Sequence, residues 1–165
     1  MKRILLPLIV VAMILMSCER TITYERINEL ETQMFGPGAS PDESVAVKLA
    51  DSYMLYAKQN PNDDAAPDML FKALDVYVGM NISPKKAVEA ADILIEKYPS
   101  FDMTPMAMYI KGFVYESMFK DLDKAEKAYR HFLETYPDNP MAEEVKMTIL
   151  NLGIPLEKLV EQFED

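Results

Sequence analysis

AVKLADSYMLYAKQNP (residues 46–61), PKKAVEAADILIEKYP (84–99) and LDKAEKAYRHFLETYP (122–137) end on Pro61, Pro99 and Pro137, spaced 38 residues apart. Each carries apolar residues at helical spacing. Each stops where proline removes a backbone donor and disfavours helical geometry in the residue before it. A fixed period of this size means one helical unit stacked several times, which sets the architecture before any other argument.

Working outward, the helix starts are marked as regularly as the stops. Ser40-Pro41-Asp42-Glu43 reads as a capping box with proline at the first helical position. Ser83-Pro84, Thr104-Pro105 and Asn139-Pro140 repeat the cap-then-proline signal, and Ala66-Pro67 keeps the proline alone. Gly36-Pro37-Gly38 breaks an earlier helix, and Gly153 ends a later one before Pro155. The reading predicts helices over 24–35, 42–59, 67–80, 84–98, 105–119, 122–136, 140–152 and 155–164. Loops this short make neighbouring helices antiparallel. Half of the residues are apolar, only 5 of 165 are Gly, and no alternating Val/Ile/Thr run reads as a strand, so the class is all-α. Tyr53, Tyr56, Leu94, Ile95, Tyr129, Phe132 and Leu133 are the side chains expected inside. In the last helix, Leu156, Leu159, Val160 and Phe163 form an apolar face suited to capping the stack.

With Pro105 at its first position, the chain resembles the tetratricopeptide (TPR) repeat. Gly112 and Tyr115 fall on that motif's Gly and Tyr positions, Ala125 on its small residue, Tyr129 on the aromatic that follows, and Pro137 on its close. The unit from Pro67 repeats this with Tyr77, Ala87 and Pro99, while Leu74 stands where the motif has Gly. The resemblance implies a right-handed superhelix of antiparallel helix pairs over 42–165, with full repeats at 67–104 and 105–139. The longer period is read as one extra residue in the turn and three in the inter-repeat loop, since Pro99 to Pro105 is longer than Pro137 to Pro140.

The N-terminus reads as an address. Lys2-Arg3 precede an apolar run from Ile4 to Met16, shorter than the roughly twenty residues of a membrane-spanning helix but suited to a signal peptide. Leu15-Met16-Ser17-Cys18 then resembles a bacterial lipobox. That resemblance implies cleavage of residues 1–17, a diacylglycerol thioether on Cys18 and acylation of the new amine, hence a membrane contact through Cys18. Residues 18–41 are a lipidated tether with a short packing helix. A lone cysteine forms no internal disulfide, so packing alone holds the fold.

Acidic side chains outnumber basic ones by 27 to 17, a net charge of −10 that grows more negative once Lys2 and Arg3 are removed. Such a balance disfavours nucleic acid as a partner. One histidine, His131, and one cysteine offer no catalytic pair or triad and no zinc ligand set. Asn60, Asn62, Asp63, Asp64 and Asp68 cluster in one loop without the spacing or Gly of a calcium-binding loop, and read as caps. No cofactor, no metal and no enzymatic activity are expected.

In TPR arrays the first helix of each pair lines a groove. Carried onto this chain, that implies Phe71, Asp75 and Val78 in one repeat, Met106, Tyr109, Phe113 and Glu116 in the next, and Glu144 and Thr148 in the trailing helix. Aromatics rimmed by acids suit a peptide segment with apolar anchors and Lys or Arg. Alternatively, the same aromatics pack on the N-terminal helix. Taken with the lipobox, the pattern LETQMF…YIKGFVYESMFKDLDKAEKAYRHFLETYPDNPMAEE…NLGIPLEKLVEQFE is similar to small TPR lipoproteins of Bacteroidetes-type bacteria. It is more distantly similar to outer-membrane assembly and Tol-Pal-associated TPR lipoproteins. The resemblance implies a lipid-anchored adaptor for another envelope protein, on the periplasmic side of the outer membrane and serving its assembly or maintenance. The competing expectation is a lipoprotein that captures small molecules or glycans.

Overall fold

The computed structural model describes residues 21–40 and 42–154. The leader, Cys18 and the helix expected over 155–164 lie outside the described residues. Within them are α1 (Tyr24–Phe35), α2 (Glu43–Gln59), α3 (Ala66–Gly79), α4 (Pro84–Lys97), α5 (Thr104–Phe113), α6 (Leu122–Thr135) and α7 (Ala142–Asn151), with no strand. Each packs against the next in the chain, so α1/α2, α3/α4 and α5/α6 are stacked pairs and α7 opens a fourth. The chain is all-α with a TPR-like arrangement. None of these helices is long and apolar enough to cross a membrane.

The 38-residue period resides in the junctions between pairs. Asp63 N–H donates to Asn60 O and Ala66 N–H to Asp63 O; the same two turns recur at Tyr98–Phe101–Thr104 and at Tyr136–Asn139–Ala142. The three junctions are therefore equal in length, and the expected difference of three residues between them is not there. Pro140 lies inside its junction, and α7 begins at Ala142 because the Asn139 side chain accepts from Met141 N–H at 3.0 Å. Two further caps are displaced. Asp42, not Ser40, caps α2 by accepting from Ser44 N–H at 2.6 Å. Thr104 is already helical, and its hydroxyl donates to Tyr98 O at 2.7 Å. Of these, only Asp42 caps an orphan helix amide with its side chain; α5 and α7 have Met103 and Met141 at their N-cap positions and no side-chain cap.

Beyond Phe113 the first helix of the second repeat continues as a π-helix, Val114–Phe119, and closes on Lys120 in the left-handed region at φ 59°. Asp121 N–H then donates to Tyr115 O at 2.8 Å.

The core is built from small residues and tyrosines. Ala46, Ala50, Ala73, Ala87, Ala90, Ala91, Ala107 and Ala125 are fully buried, which lets helix axes approach closely around Leu49, Leu70, Leu74 and Leu94. Of the expected anchors, Tyr53, Tyr56, Leu94, Tyr129 and Phe132 are buried. Ile95 and Leu133 are half-buried instead, packed on the flank of the cluster of Met108, Ala125, Tyr129, Phe132 and Val145. Buried hydroxyls are satisfied by carboxylates: Tyr53 donates to Glu31 at 2.5 Å, Tyr77 to Asp51 at 2.7 Å and Tyr129 to Glu116 at 2.8 Å. The tyrosine before each closing proline ties successive repeats, with Tyr98 donating to Pro61 O at 2.8 Å and Tyr136 to Pro99 O at 3.4 Å.

Candidate functional site

Because α3, α5 and α7 start at 66, 104 and 142, their side chains correspond at intervals of 38. Phe71 and Tyr109 occupy one position, Asp75 and Phe113 the next, Val78 and Glu116 the third, and Met106 aligns with Glu144. Spaced at three and four residues, these fall on one face of each helix. Phe71, Val78, Met106, Tyr109 and Glu116 are half-buried, while Asp75 and Glu144 are exposed. Phe113 is 41% exposed and is the aromatic of this row most open to solvent.

Thr148 does not belong to the row. Its expected place rested on Pro140 as a helix start, and the true start at Ala142 puts Met147 in register with Phe71 and Tyr109. The Thr148 hydroxyl turns back to Glu144 O at 3.0 Å, whereas Met147 is 53% exposed. Met147 and Asn151 were missed for that reason alone; adding 38 to Tyr109 and Phe113 finds them.

Packing behind the row fixes its geometry. The half-buried Tyr109 ring lies 5.5 Å from that of the buried Tyr129, tilted by 37°, so it rests on the core. Gly112 lets the Tyr129 ring sit against the α5 backbone, because a Cβ there would lie 2.6 Å from Tyr129 Cδ1. Glu116 is held from behind by the Tyr129 hydroxyl, so its charge is partly spent within the fold. Burial, then the Glu116 bond, raises the Tyr129 hydroxyl pKa well above the ordinary tyrosine value. The N-terminal helix lies on α2 and meets α3 through Lys72 and Glu31 at 3.1 Å, and Phe113 stays open. The row thus offers apolar contacts at Phe71, Tyr109, Phe113 and Met147 among the carboxylates of Asp75, Glu116 and Glu144.

Elsewhere, His131 is exposed on α6. In the polar loop, Asp63 accepts from the Tyr56 hydroxyl at 2.5 Å and from Ala65 N–H at 2.9 Å, and the Asn60 amide donates to Tyr56 O at 3.0 Å. Those side chains are used in capping. Among the described residues no three His, Cys, Asp or Glu side chains are grouped to hold a metal.

Residues 106–139 match the family model of the tetratricopeptide repeat. The match begins one residue after Pro105 and takes in α5, the π-helix and α6. No curated protein and no solved structure matches the chain.

Proposed function

We propose that this chain is a non-catalytic, lipid-anchored adaptor that holds another protein of the bacterial cell envelope. Acylated Cys18 tethers it to the periplasmic face of the outer membrane, and the partner serves assembly or maintenance of that membrane. The observation that carries the binding role is the row on the first helices, where Phe113 and Met147 stay 41% and 53% exposed beside Asp75 and Glu144. Apolar side chains ringed by acids suit a segment that brings one or two apolar anchors and a Lys or Arg. A TPR repeat in this region is a framework for protein contacts. The tether rests on the Leu15–Cys18 motif.

The test is cross-linking in cells, followed by affinity purification and mass spectrometry, of wild type and of Phe113→Ala/Met147→Ala. Both side chains are exposed, so the variant keeps its fold. A partner held by wild type and lost from the variant supports the adaptor role. A partner retained by the variant overturns the assignment of the row. A ligand-dependent rise in melting temperature with no protein partner moves the reading to small-molecule capture. Mass spectrometry of the N-terminal fragment checks the tether separately: a Cys18 lacking acyl chains removes the membrane part of the reading and leaves the binding row standing.

A further inference from the structure

On the side of α5 turned away from Tyr109 and Phe113, the two repeats differ in a way that exposes a vacancy of chemistry. In the first repeat, Asp51 Oδ1 accepts from the Tyr77 hydroxyl at 2.7 Å and from Lys86 Nζ at 2.6 Å. Lys86 also lies over the Tyr77 ring, 5.9 Å from its centroid. The positions 38 residues on are Tyr115 and Lys124, and Lys124 again lies over the ring, at 5.6 Å. The donor pair is thus rebuilt in the second repeat, but no carboxylate joins its two members: Lys124 pairs with Asp121 at 2.8 Å, and the Asp51 position does not serve it. Glu89 stands 38 residues after Asp51, and its carboxylate is drawn to Lys58 at 2.5 Å. The Tyr115 hydroxyl has no hydrogen-bond partner among the described residues.

Beside the Tyr115–Lys124 pair the second repeat has a concavity of about 260 Å³ lined by Lys111, Tyr115, Lys124, Lys127, Ala128 and His131. Its chemistry has changed sign: Lys111, Lys127 and His131 replace Ala73, Glu89 and Ile93 of the first repeat. Two of the cations are already matched, Lys111 by Asp92 at 2.6 Å and Lys124 by Asp121 at 2.8 Å. The side chains of Lys127 and His131 have no ion pair or hydrogen bond among the described residues, although Asp121 lies near enough to feel the charge of Lys127. On a chain of net charge −10, a concavity of three lysines and a histidine runs against the overall field.

We propose that this concavity between α5 and α6 binds a carboxylate ligand, which takes between Tyr115, Lys124 and Lys127 the place that Asp51 fills one repeat earlier. The ligand is a small carboxylic acid or the carboxylate of an acidic peptide. The donor arrangement, one phenol and one ammonium converging on a single oxygen, is the one the fold already uses for a carboxylate, and charge-assisted bonds of this kind are its strongest contacts. The site is separate from the aromatic row and stands whether or not that row binds a partner.

NMR titration of the isotope-labelled full chain tests it, using glutarate, a blocked peptide containing two glutamates, and inorganic phosphate as probes. Saturable shifts confined to residues 111–131 are expected with a carboxylate probe. Lys127→Ala/His131→Ala should weaken binding by about tenfold or more. Both side chains are exposed, so the fold survives. Tyr115→Phe keeps the ring under Lys124 and should still weaken binding several-fold, whereas Lys97→Ala, an exposed lysine outside the concavity, should leave it unchanged. A stronger response to the peptide points to a protein source, and one to glutarate points to a free acid; either supports the site. Shifts that do not saturate, an equal loss from Lys97→Ala, or tighter phosphate binding insensitive to Tyr115→Phe would each overturn it.

Discussion

A tyrosine hydroxyl buried between helices must find an acceptor, and in this chain Tyr53, Tyr77 and Tyr129 each find a carboxylate. Burial first, and the neighbouring carboxylate second, hold all three hydroxyls well above the ordinary tyrosine pKa. The sign of the consequence is fixed: the folded state keeps these protons where the unfolded chain, titrating at about 10, begins to lose them. Their contribution to stability is therefore fully present below about pH 10 and drains away as pH rises further. Urea midpoints measured from neutral to strongly alkaline pH should fall above that point, and Tyr77→Phe should make the fall shallower. At neutral pH the same substitution should cost about 1 kcal/mol, since Asp51 keeps Lys86 as a partner. An unchanged alkaline slope in Tyr77→Phe would mean that neither burial nor the Asp51 bond holds the Tyr77 hydroxyl above its ordinary pKa. Gly112 makes a second residue-scale case. Alanine there would gain up to about 1 kcal/mol of helix propensity, but its Cβ would overlap the buried Tyr129 ring, held in place by Glu116. The clash, typically about 1–3 kcal/mol, should win and lower the urea midpoint.

At the level of elements, the tyrosine preceding each closing proline links one repeat to the next. Tyr98→Phe should destabilise by about 1 kcal/mol. Tyr136→Phe should cost less, because its bond to Pro99 O is 3.4 Å against 2.8 Å for Tyr98 to Pro61 O. Paired denaturation curves check the order, and a larger loss from Tyr136→Phe would show that the ladder is not what joins the repeats. The helices themselves were legible because proline and amphipathic spacing mark them locally: α1 was expected over 24–35 and spans Tyr24–Phe35. Pro140 misled because proline also suits a turn. Only the paired i→i+3 bonds, from Asn139 N–H to Tyr136 O and from Ala142 N–H to Asn139 O, place the start of α7 two residues later. That local error is what carried Thr148 into the candidate row and left Met147 out. The π-helix left no mark in sequence, since VYESMF is compatible with an ordinary helical turn. The Tyr115 concavity was within reach, because aligning the repeats at 38 shows Tyr and Lys retained while Glu89 and Ile93 give way to Lys127 and His131. Only the structure shows that Glu89 turns to Lys58, away from the rebuilt donors.

Across the whole molecule, contacts run from each helix to the next, and the buried side chains fall into two groups. One extends from Ile27 to Val114, and the other joins Met108, Ala125, Tyr129, Phe132 and Val145. A stack held by neighbour-to-neighbour packing need not open as one body. The smaller group holds α6 and α7 to α5, while α1 to α4 bury their faces among themselves and against Ala107 and Val114. Phe132 is fully buried in the smaller group, so Phe132→Ala should cost about 3–5 kcal/mol. That loss should fall on one end of the chain. Hydrogen exchange should show amides of α6 and α7 losing protection while those of α2 and α3 keep theirs, and Leu49→Ala, in the larger group, should instead lower protection in α2 and α3 first. A uniform loss of protection in Phe132→Ala would mean that the two groups act as one core and that the repeats fold as a single cooperative unit.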